Sequence, residues 1–357
     1  MIIKTGKWER KMKEKIEWID ITKGLLIALV VLGHISLTRE IDGGVIRKPS
    51  YMIENIWSGI MCWIYACHIP GFFIVNGILK NRTKYQTKDY DLRTLLSKQR
   101  RVLTYYLFFS SVFFVRYILQ AIVGHDEWND VLSFAYNTCT LVGMGVLWFL
   151  PTFFISQVLF HIYIKGNFLI RGGLLVLTIL SFVSTYIWGI NNIMDSMDVM
   201  VKLIGVLSRS LIALSFVILG YYFDKKKLFE FKYVFIGFIS VFSYTNGIVD
   251  MNKLLFNNLF LFYMYAILGF MFVVLIARLI CKYLNFLKQV VSFWGRESLF
   301  IMCTHTVLLV IHASIFVSIK ITNIFWINII LAFVMTMLVE SYIAYKYHIV
   351  LNKCRLK

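Results

Sequence analysis

Ten stretches of this chain are apolar over about 20 residues, the length that an α-helix needs to cross the ~30 Å hydrocarbon core of a bilayer. Because lipid offers no partners to backbone N–H and C=O groups, such stretches cross the membrane as helices. The sequence therefore predicts an all-α, polytopic integral membrane protein with about ten transmembrane helices. The predicted spans are residues 19–38, 56–79, 102–124, 147–164, 172–190, 202–223, 233–249, 254–277, 298–319 and 322–345.

The composition agrees with this class of protein. Only 16% of the 357 residues are charged and 59% are hydrophobic, whereas ordinary globular chains have about 25% and about 45–50%. These values exclude a conventional soluble enzyme and a disordered chain. The connections between spans are short and contain no Pro/Ser-rich linker, so we expect one transmembrane domain over residues 1–357 and no additional soluble domain.

The lysine and arginine residues indicate the orientation of the chain, because cytoplasmic segments of membrane proteins carry an excess of them. If the N-terminus is inside, the predicted inside segments hold 28 of the 37 Lys and Arg residues, the outside loops six and the spans three. We therefore expect both termini in the cytoplasm. The net charge of +18 then reflects topology, and we expect no nucleic-acid binding.

Ionisable side chains inside the spans are costly and usually line a polar cavity. At a rise of 1.5 Å per residue, five of them lie about 17–22 Å above the predicted cytoplasmic ends of their spans. These five are His34, His68, Arg116, Arg209 and His312. His305 is expected lower, at about 10 Å. Any one of them could simply bond a neighbouring helix, but their common depth favours a polar site.

The first span carries the clearest pattern. Asp20, Lys23 and His34 are three and eleven residues apart, which places them on one stripe of the helix, with His34 about 16 Å beyond Lys23. That distance is comparable to an extended pantetheine arm. A cation at the cytoplasmic rim could therefore hold an acidic cofactor whose reactive end reaches His34. The simpler alternative is that Lys23 only snorkels to the membrane surface.

Two further features lie in the second and fourth spans. His68 precedes Pro70 and Gly71, which loosen the helix and free backbone groups. Trp148 opens the fourth span, where the simplest interpretation is an aromatic-belt anchor. No closely spaced pair of histidines occurs and no carboxylate shares the predicted layer, so we expect no metal site.

These motifs resemble the membrane-bound acyltransferase family that O-acetylates surface polysaccharides, especially its branch related to fucose 4-O-acetylase. Lys23 and His34 match that family's basic-x10-His pattern, which an acidic residue precedes, as Asp20 does here. Residues 68–77, HIPGFFIVNG, match its HMPLFFFISG-like segment. The resemblance covers about residues 15–345. Weaker matches are Arg100 with Arg101, residues 148–150, residues 209–221 and residues 295–305.

The resemblance implies transfer of an acetyl group from cytoplasmic acetyl-CoA to a hydroxyl of a cell-surface or lipid-linked glycan, in the inner (plasma) membrane. Candidate acceptors are O-antigen, capsule or exopolysaccharide. The expected catalytic residues are Asp20, Lys23, His34 and His68. His34 is either the general base or a transiently acylated nucleophile.

The resemblance also implies two binding regions. Lys23, Arg100 and Arg101 are expected to meet the CoA phosphates. The residues expected to bind the acceptor or the developing oxyanion are Arg116, Trp148, Arg209 and His305. Two alternatives stay open at this point, a transporter or flippase for a glycan or small solute and an acyltransferase-like scaffold without activity. The two halves of the chain show no internal repeat of the kind that many transporters have.

Overall fold

The computed structural model describes residues 17–35, 51–82, 91–124, 127–187, 196, 198–223, 236–319 and 325–355. Among these residues no strand occurs, and the only bridge between extended residues joins Asp250 and Leu255. The helices are α1 (Glu17–Ile35), α2 (Tyr51–Arg82), α3 (Leu92–Val123), α4 (Trp128–Cys139), α5 (Phe149–Lys165), α6 (Phe168–Ile187), α7 (Val199–Tyr222), α8 (Leu259–Tyr283), α9 (Asn285–Arg296), α10 (Ser298–Ile319) and α11 (Phe325–Arg355).

Eight helices in the described part of the chain are long and apolar enough to cross a membrane. They confirm the prediction of an all-α, polytopic membrane protein. The ninth predicted span, residues 298–319, corresponds to α10. The eight segments are Glu17–Ile35, Asn55–Asn81, Leu92–Val123, Gly145–Lys165, Phe168–Thr185, Val199–Tyr222, Leu259–Tyr283 and Trp326–Tyr347.

The seventh predicted span, residues 233–249, differs from a regular helix. Its described part contains a 3-10 helix, Gly237–Asn246, that ends at Gly247 with a φ of 72°. The hydroxyls of Ser240 and Thr245 each donate to the backbone carbonyl three residues earlier. Side chains that bond the local backbone in this way compete with the α-helical hydrogen-bond pattern.

The third helix begins earlier than the apolar pattern indicates. It starts at Leu92 and not at 102, because Asp91 caps it by accepting from the Thr94 backbone N–H at 2.8 Å. That hydrogen bond holds the pKa of Asp91 below its usual value. Arg100 and Arg101 therefore lie on a helix, and both are exposed. A second difference is α4, a helix in the region between the third and fourth spans that was expected to be a loop.

The chain divides into two compact units. Unit 1 comprises residues 1–72, 226–248 and 260–357, and unit 2 comprises residues 73–225 and 249–259. The single transmembrane domain expected over residues 1–357 stays a prediction.

In unit 1, α1 and α9 touch backbone to backbone. A Cβ atom at Gly24 would collide with the carbonyl oxygen of Val291, and one at Gly295 would collide with that of Asp20. Only glycine permits so close an approach. The helices α9, α10 and α11 follow one another along the chain and pack together, α10 against both of its neighbours. The glycine contact therefore aligns α1 with the start of α10.

In unit 2, α5 packs against α3 and α7, and α6 packs against α7. The second half of α2 joins this group through another glycine pair. A Cβ atom at Gly77 would collide with the Val217 carbonyl oxygen, and one at Gly220 with that of Ile74. Asn81 donates to the Tyr221 carbonyl one turn further along.

Candidate active site

The stripe predicted on the first helix begins with an ion pair. Nζ of Lys23 lies 2.8 Å from Oδ1 of Asp20, and both side chains are partly exposed. Gly24 follows directly, so the contact of α1 with α9 lies beside the lysine. A second ion pair, Lys288 Nζ to Glu17 Oε2 at 2.6 Å, joins α9 to the first turn of α1. Lys23 is thus a partly exposed cation near the start of α1, and contacts with α9 hold that end of the helix in place.

His34 and His305 lie side by side in unit 1. Their ring centroids are 4.9 Å apart, with the planes inclined by 72°. His34 is partly exposed, whereas His305 is fully buried. The prediction that His305 lies well below His34 is therefore wrong. The expected height of His305 was counted from residue 298, the start of the ninth predicted span. The preceding helix, α9, already lies beside α1 at Gly24 and Gly295. His34 and His305 each come ten residues after the glycine of their segment, so they lie at a similar height.

His68 lies in the same unit, on α2. Its side chain is buried, and its ring meets the Tyr65 ring edge-on with centroids 5.2 Å apart. His34 and His68 are both within electrostatic range of His305. Three histidines that the sequence singled out thus come from three helices into one unit.

Each of the three histidines bonds the carbonyl four residues earlier through Nδ1. The distances are 2.8 Å from His34 to Val30, 2.6 Å from His68 to Ile64 and 2.8 Å from His305 to Ile301. A carbonyl oxygen can only accept, so Nδ1 carries the proton in each neutral ring and Nε2 keeps the lone pair. The neutral rings are therefore proton acceptors at Nε2, which favours a general base over an oxyanion donor.

Glu340 on α11 is a buried carboxyl group that the sequence reasoning missed. It is completely buried, and both of its oxygens lie 2.8 Å from Oγ1 of Thr304, the residue before His305. The next residue, Ser341, accepts from Trp294 Nε1 at 2.8 Å. The signal was present, because Glu340 is an ionisable residue inside the tenth predicted span. No group of three His, Cys, Asp or Glu residues in the described ranges could hold a metal ion.

We expect Thr304→Val to lower the free energy of unfolding by about 1–3 kcal/mol, because it leaves the Glu340 carboxyl buried without its hydroxyl partner. Thermal unfolding of the detergent-solubilised protein measures this effect. Thr306→Val, the same change two residues along α10, is the matched control. Equal melting temperatures for the two variants would show that the Thr304–Glu340 bond contributes nothing.

In unit 2, Arg209 and Trp148 are in contact. The guanidinium carbon of the fully buried Arg209 lies 4.9 Å from the Trp148 ring centroid. Its two terminal nitrogens donate at 2.8 Å to the Asn252 side chain and to the Val142 carbonyl. Trp148 is only 9% exposed, so it is a buried support for the arginine and does not match a belt anchor. An acceptor-binding role for both residues stays a prediction.

Arg116 is exposed on α3, so its expected place in an interior polar layer is wrong. Counting residues gives the height along a helix, but it does not tell which side of the helix faces the interior. The buried side of α3 runs through Tyr106, Phe109 and Phe113. The side chain of His312, the fifth member of the expected layer, lies outside the described residues.

Two other basic residues, Arg101 and Lys202, differ in exposure: Arg101 is exposed and Lys202 is buried. Arg101 donates to the Tyr105 hydroxyl at 3.1 Å, and its guanidinium lies over that ring. Lys202 lies on the first turn of α7, where Asp198 caps the helix, and it is buried. Its ammonium bonds Asn137 and lies 5.0 Å from the Tyr136 ring centroid. Roles of Arg100 and Arg101 toward CoA stay predictions.

Comparison with known proteins gives one finding. A sequence model of the family described as acyltransferase domain matches residues 16–345, which include the histidines of unit 1 and the Arg209–Trp148 contact of unit 2. Neither the curated proteins nor the solved structures gave a significant match. The match confirms the membrane acyltransferase family predicted from the motifs, and the polysaccharide O-acetylating branch stays a prediction. Because the match covers nearly the whole polytopic chain, the protein belongs to the acyltransferase domain family and is a multi-pass membrane acyltransferase.

Proposed function

We propose that this acyltransferase moves an acetyl group from cytoplasmic acetyl-CoA to a hydroxyl of a cell-surface or lipid-linked glycan, in the inner (plasma) membrane. The proposal rests on the position and surroundings of His34. It is partly exposed, its Nδ1 is held by the Val30 carbonyl, and it lies on the same helix as the Lys23 cation. A neutral imidazole held in this tautomer suits removal of a hydroxyl proton near neutral pH.

The donor half of the proposal depends on Lys23. Eleven residues of helix separate it from His34, a rise of about 16 Å. An acyl-CoA whose phosphates meet Lys23 would bring its thioester close to His34 if the pantetheine arm follows α1. Asp20 keeps the ammonium in position, and the partial exposure of the ion pair leaves the ammonium accessible to a phosphate group.

In the proposed reaction, Nε2 of His34 removes the proton from the acceptor hydroxyl, and the hydroxyl oxygen attacks the thioester carbonyl. The C–S bond then breaks, and CoA leaves as a thiolate that takes the proton from His34. An acyl-histidine intermediate is the alternative route to the same products. The family assignment favours this chemistry over a transporter or flippase.

The test compares surface glycans of cells with and without this protein by mass spectrometry. We expect one class of glycan to lose acetyl groups when the protein is absent. The purified protein should restore them from acetyl-CoA and release an equal amount of free CoA thiol. Unchanged acetyl content in every glycan would contradict the proposal.

A further inference from the structure

A groove of about 840 Å³ lies in unit 1, between the first half of α2, the 3-10 helix Gly237–Asn246 with the residues that follow it, and α8. Cavities of about 300–1,000 Å³ are typical of small-molecule sites. The walls are mostly apolar, and Ile56, Val241 and Tyr244 are each more than half exposed. None of the three histidines is among the described residues that line the groove, so the proposed reaction does not account for it.

The deeper end of the groove is held by contacts between its walls. Nε1 of Trp63 on α2 donates to Oγ of Ser240 at 2.8 Å. The Trp63 ring also meets the Phe272 ring of α8 edge-on, with centroids 5.8 Å apart. A Cβ atom at Gly237 would lie only 3.0 Å from the backbone nitrogen of Phe272. The three walls are therefore fixed to one another, and the groove is preformed.

Two departures from a regular helix surface give the groove its width. Gly59 lies in the middle of the lining stretch of α2, and a Cβ atom there would meet nothing within 4 Å outside its own stretch of helix. The facing wall is a 3-10 helix of 10 residues, although such helices rarely exceed about three or four. Glycine is also unfavourable inside a helix. Both features weaken regular helical structure and open space at the same place, which favours a binding site.

The depth and the chemistry of the groove suit a hydrocarbon chain. From Asn55 to Trp63 it follows α2 over a rise of about 12 Å, within the segment Asn55–Asn81 that is long and apolar enough to cross a membrane. One leaflet accounts for about half of the ~30 Å hydrocarbon core, so the groove spans most of a leaflet. In the predicted orientation this is the outer leaflet. The polar side chains of Asn55 and Ser58 lie toward the outer end, where a lipid headgroup would be.

We propose that this groove holds the hydrocarbon chain of a carrier lipid, so that the acceptor is a lipid-linked glycan and not a free surface polymer. The inference rests on the proposed function and narrows its acceptor class. No covalent bond changes in the groove, because the acyl transfer takes place at His34. The groove contributes by holding the acceptor at the protein and by fixing the depth of its lipid.

The position of the groove favours the lipid of the acceptor over a lipid of the surrounding bilayer. A Cβ atom at Gly33, the residue before His34, would lie 3.4 Å from the side chains of Ile64 and Tyr65. These two residues directly follow Trp63, so His34 is at the height of the deeper end of the groove. A chain bound there therefore holds its glycan on the side of the membrane where His34 lies, within the same unit.

The first test gives the purified wild-type protein two forms of one glycan, isolated from cells that lack the protein. One form keeps its carrier lipid, and the other is released from the lipid by mild acid. With acetyl-CoA as donor, we expect the KM to be at least about tenfold lower for the lipid-linked form, as for the burial of about two methylene groups. Equal KM values would overturn the inference, while transfer itself would still support the proposed function.

A variant isolates the groove, because a lipid-linked glycan also concentrates in detergent micelles. Gly59→Phe fills the groove from a position with open space, so the fold should be retained. The KM for the lipid-linked glycan should rise about tenfold, and Gly59→Leu should raise it less. The KM values for released glycan and for acetyl-CoA should not change. Gly172→Phe is the matched control, since Gly172 is also a partly buried glycine of a membrane span with open space at its Cβ.

An equal rise in KM for both forms of the glycan, or a fall in kcat alone, would mean that the groove supports the fold or holds a bilayer lipid, and the inference would be wrong. An unchanged KM in a folded Gly59→Phe protein would also overturn it. If that variant does not fold, as judged by thermal unfolding, Gly59→Leu and the comparison of the two glycan forms decide. No transfer by the wild-type protein to either form would instead contradict the proposed function itself.

Discussion

Replacing His34 with alanine should abolish acetyl transfer while leaving the protein folded and inserted. Loss of a positioned general base typically costs about 10²–10⁴-fold in rate. His34 is partly exposed, and its Nδ1 bonds the Val30 carbonyl of its own helix. Its removal should therefore affect the reaction far more than the stability. The measurement is transfer of labelled acetyl from acetyl-CoA to glycan by purified protein.

His161→Ala is the matched control, because His161 is a partly buried histidine in another membrane span and belongs to no proposed site. We expect this variant to keep most of its activity. Thermal unfolding of both variants checks that they fold. A rate near wild type for His34→Ala would show that another group removes the proton.

Replacing Lys23 with methionine should weaken acetyl-CoA binding by roughly ten- to a hundredfold. The reason is the loss of a charge-assisted contact with a CoA phosphate, which typically contributes about 1.5–3 kcal/mol. Methionine roughly preserves the length of the side chain and its apolar stem, so the change removes mainly the charge. Calorimetry on the detergent-solubilised protein measures the affinity, and raised salt should partly reproduce the defect.

Lys288→Met controls for the general loss of a cation near the start of α1. Lys288 also forms an ion pair with a carboxylate, and its exposure, 27%, is close to the 23% of Lys23. Both variants leave one carboxylate without its partner, so the effects on stability should be similar. Only Lys23→Met should lose affinity for acetyl-CoA. Equal affinity in both variants would mean that Lys23 only snorkels to the membrane surface.

The helical architecture of this protein was predictable because it follows from local chemistry. An apolar stretch of about 20 residues must satisfy its own backbone in lipid, and only a helix does so within a single segment. The same locality explains the first helix, where the spacing of Asp20 and Lys23 alone predicts that they share a face. The 3-10 helix departs from this rule. Its largely apolar sequence predicts a regular helix, but the hydroxyls of Ser240 and Thr245 bond the local backbone.

The sequence by itself determined the membrane class, most of the helices and the residues that merit attention as a site. Only the tertiary structure decided which of those residues meet. His34 and His305 are side by side because Gly24 and Gly295 bring α1 and α9 into backbone contact ten residues earlier. Arg116 lies on the exposed side of its helix. Spacing fixes where a residue lies along one helix, whereas contacts between distant segments depend on how their surfaces pack, and no single segment encodes that.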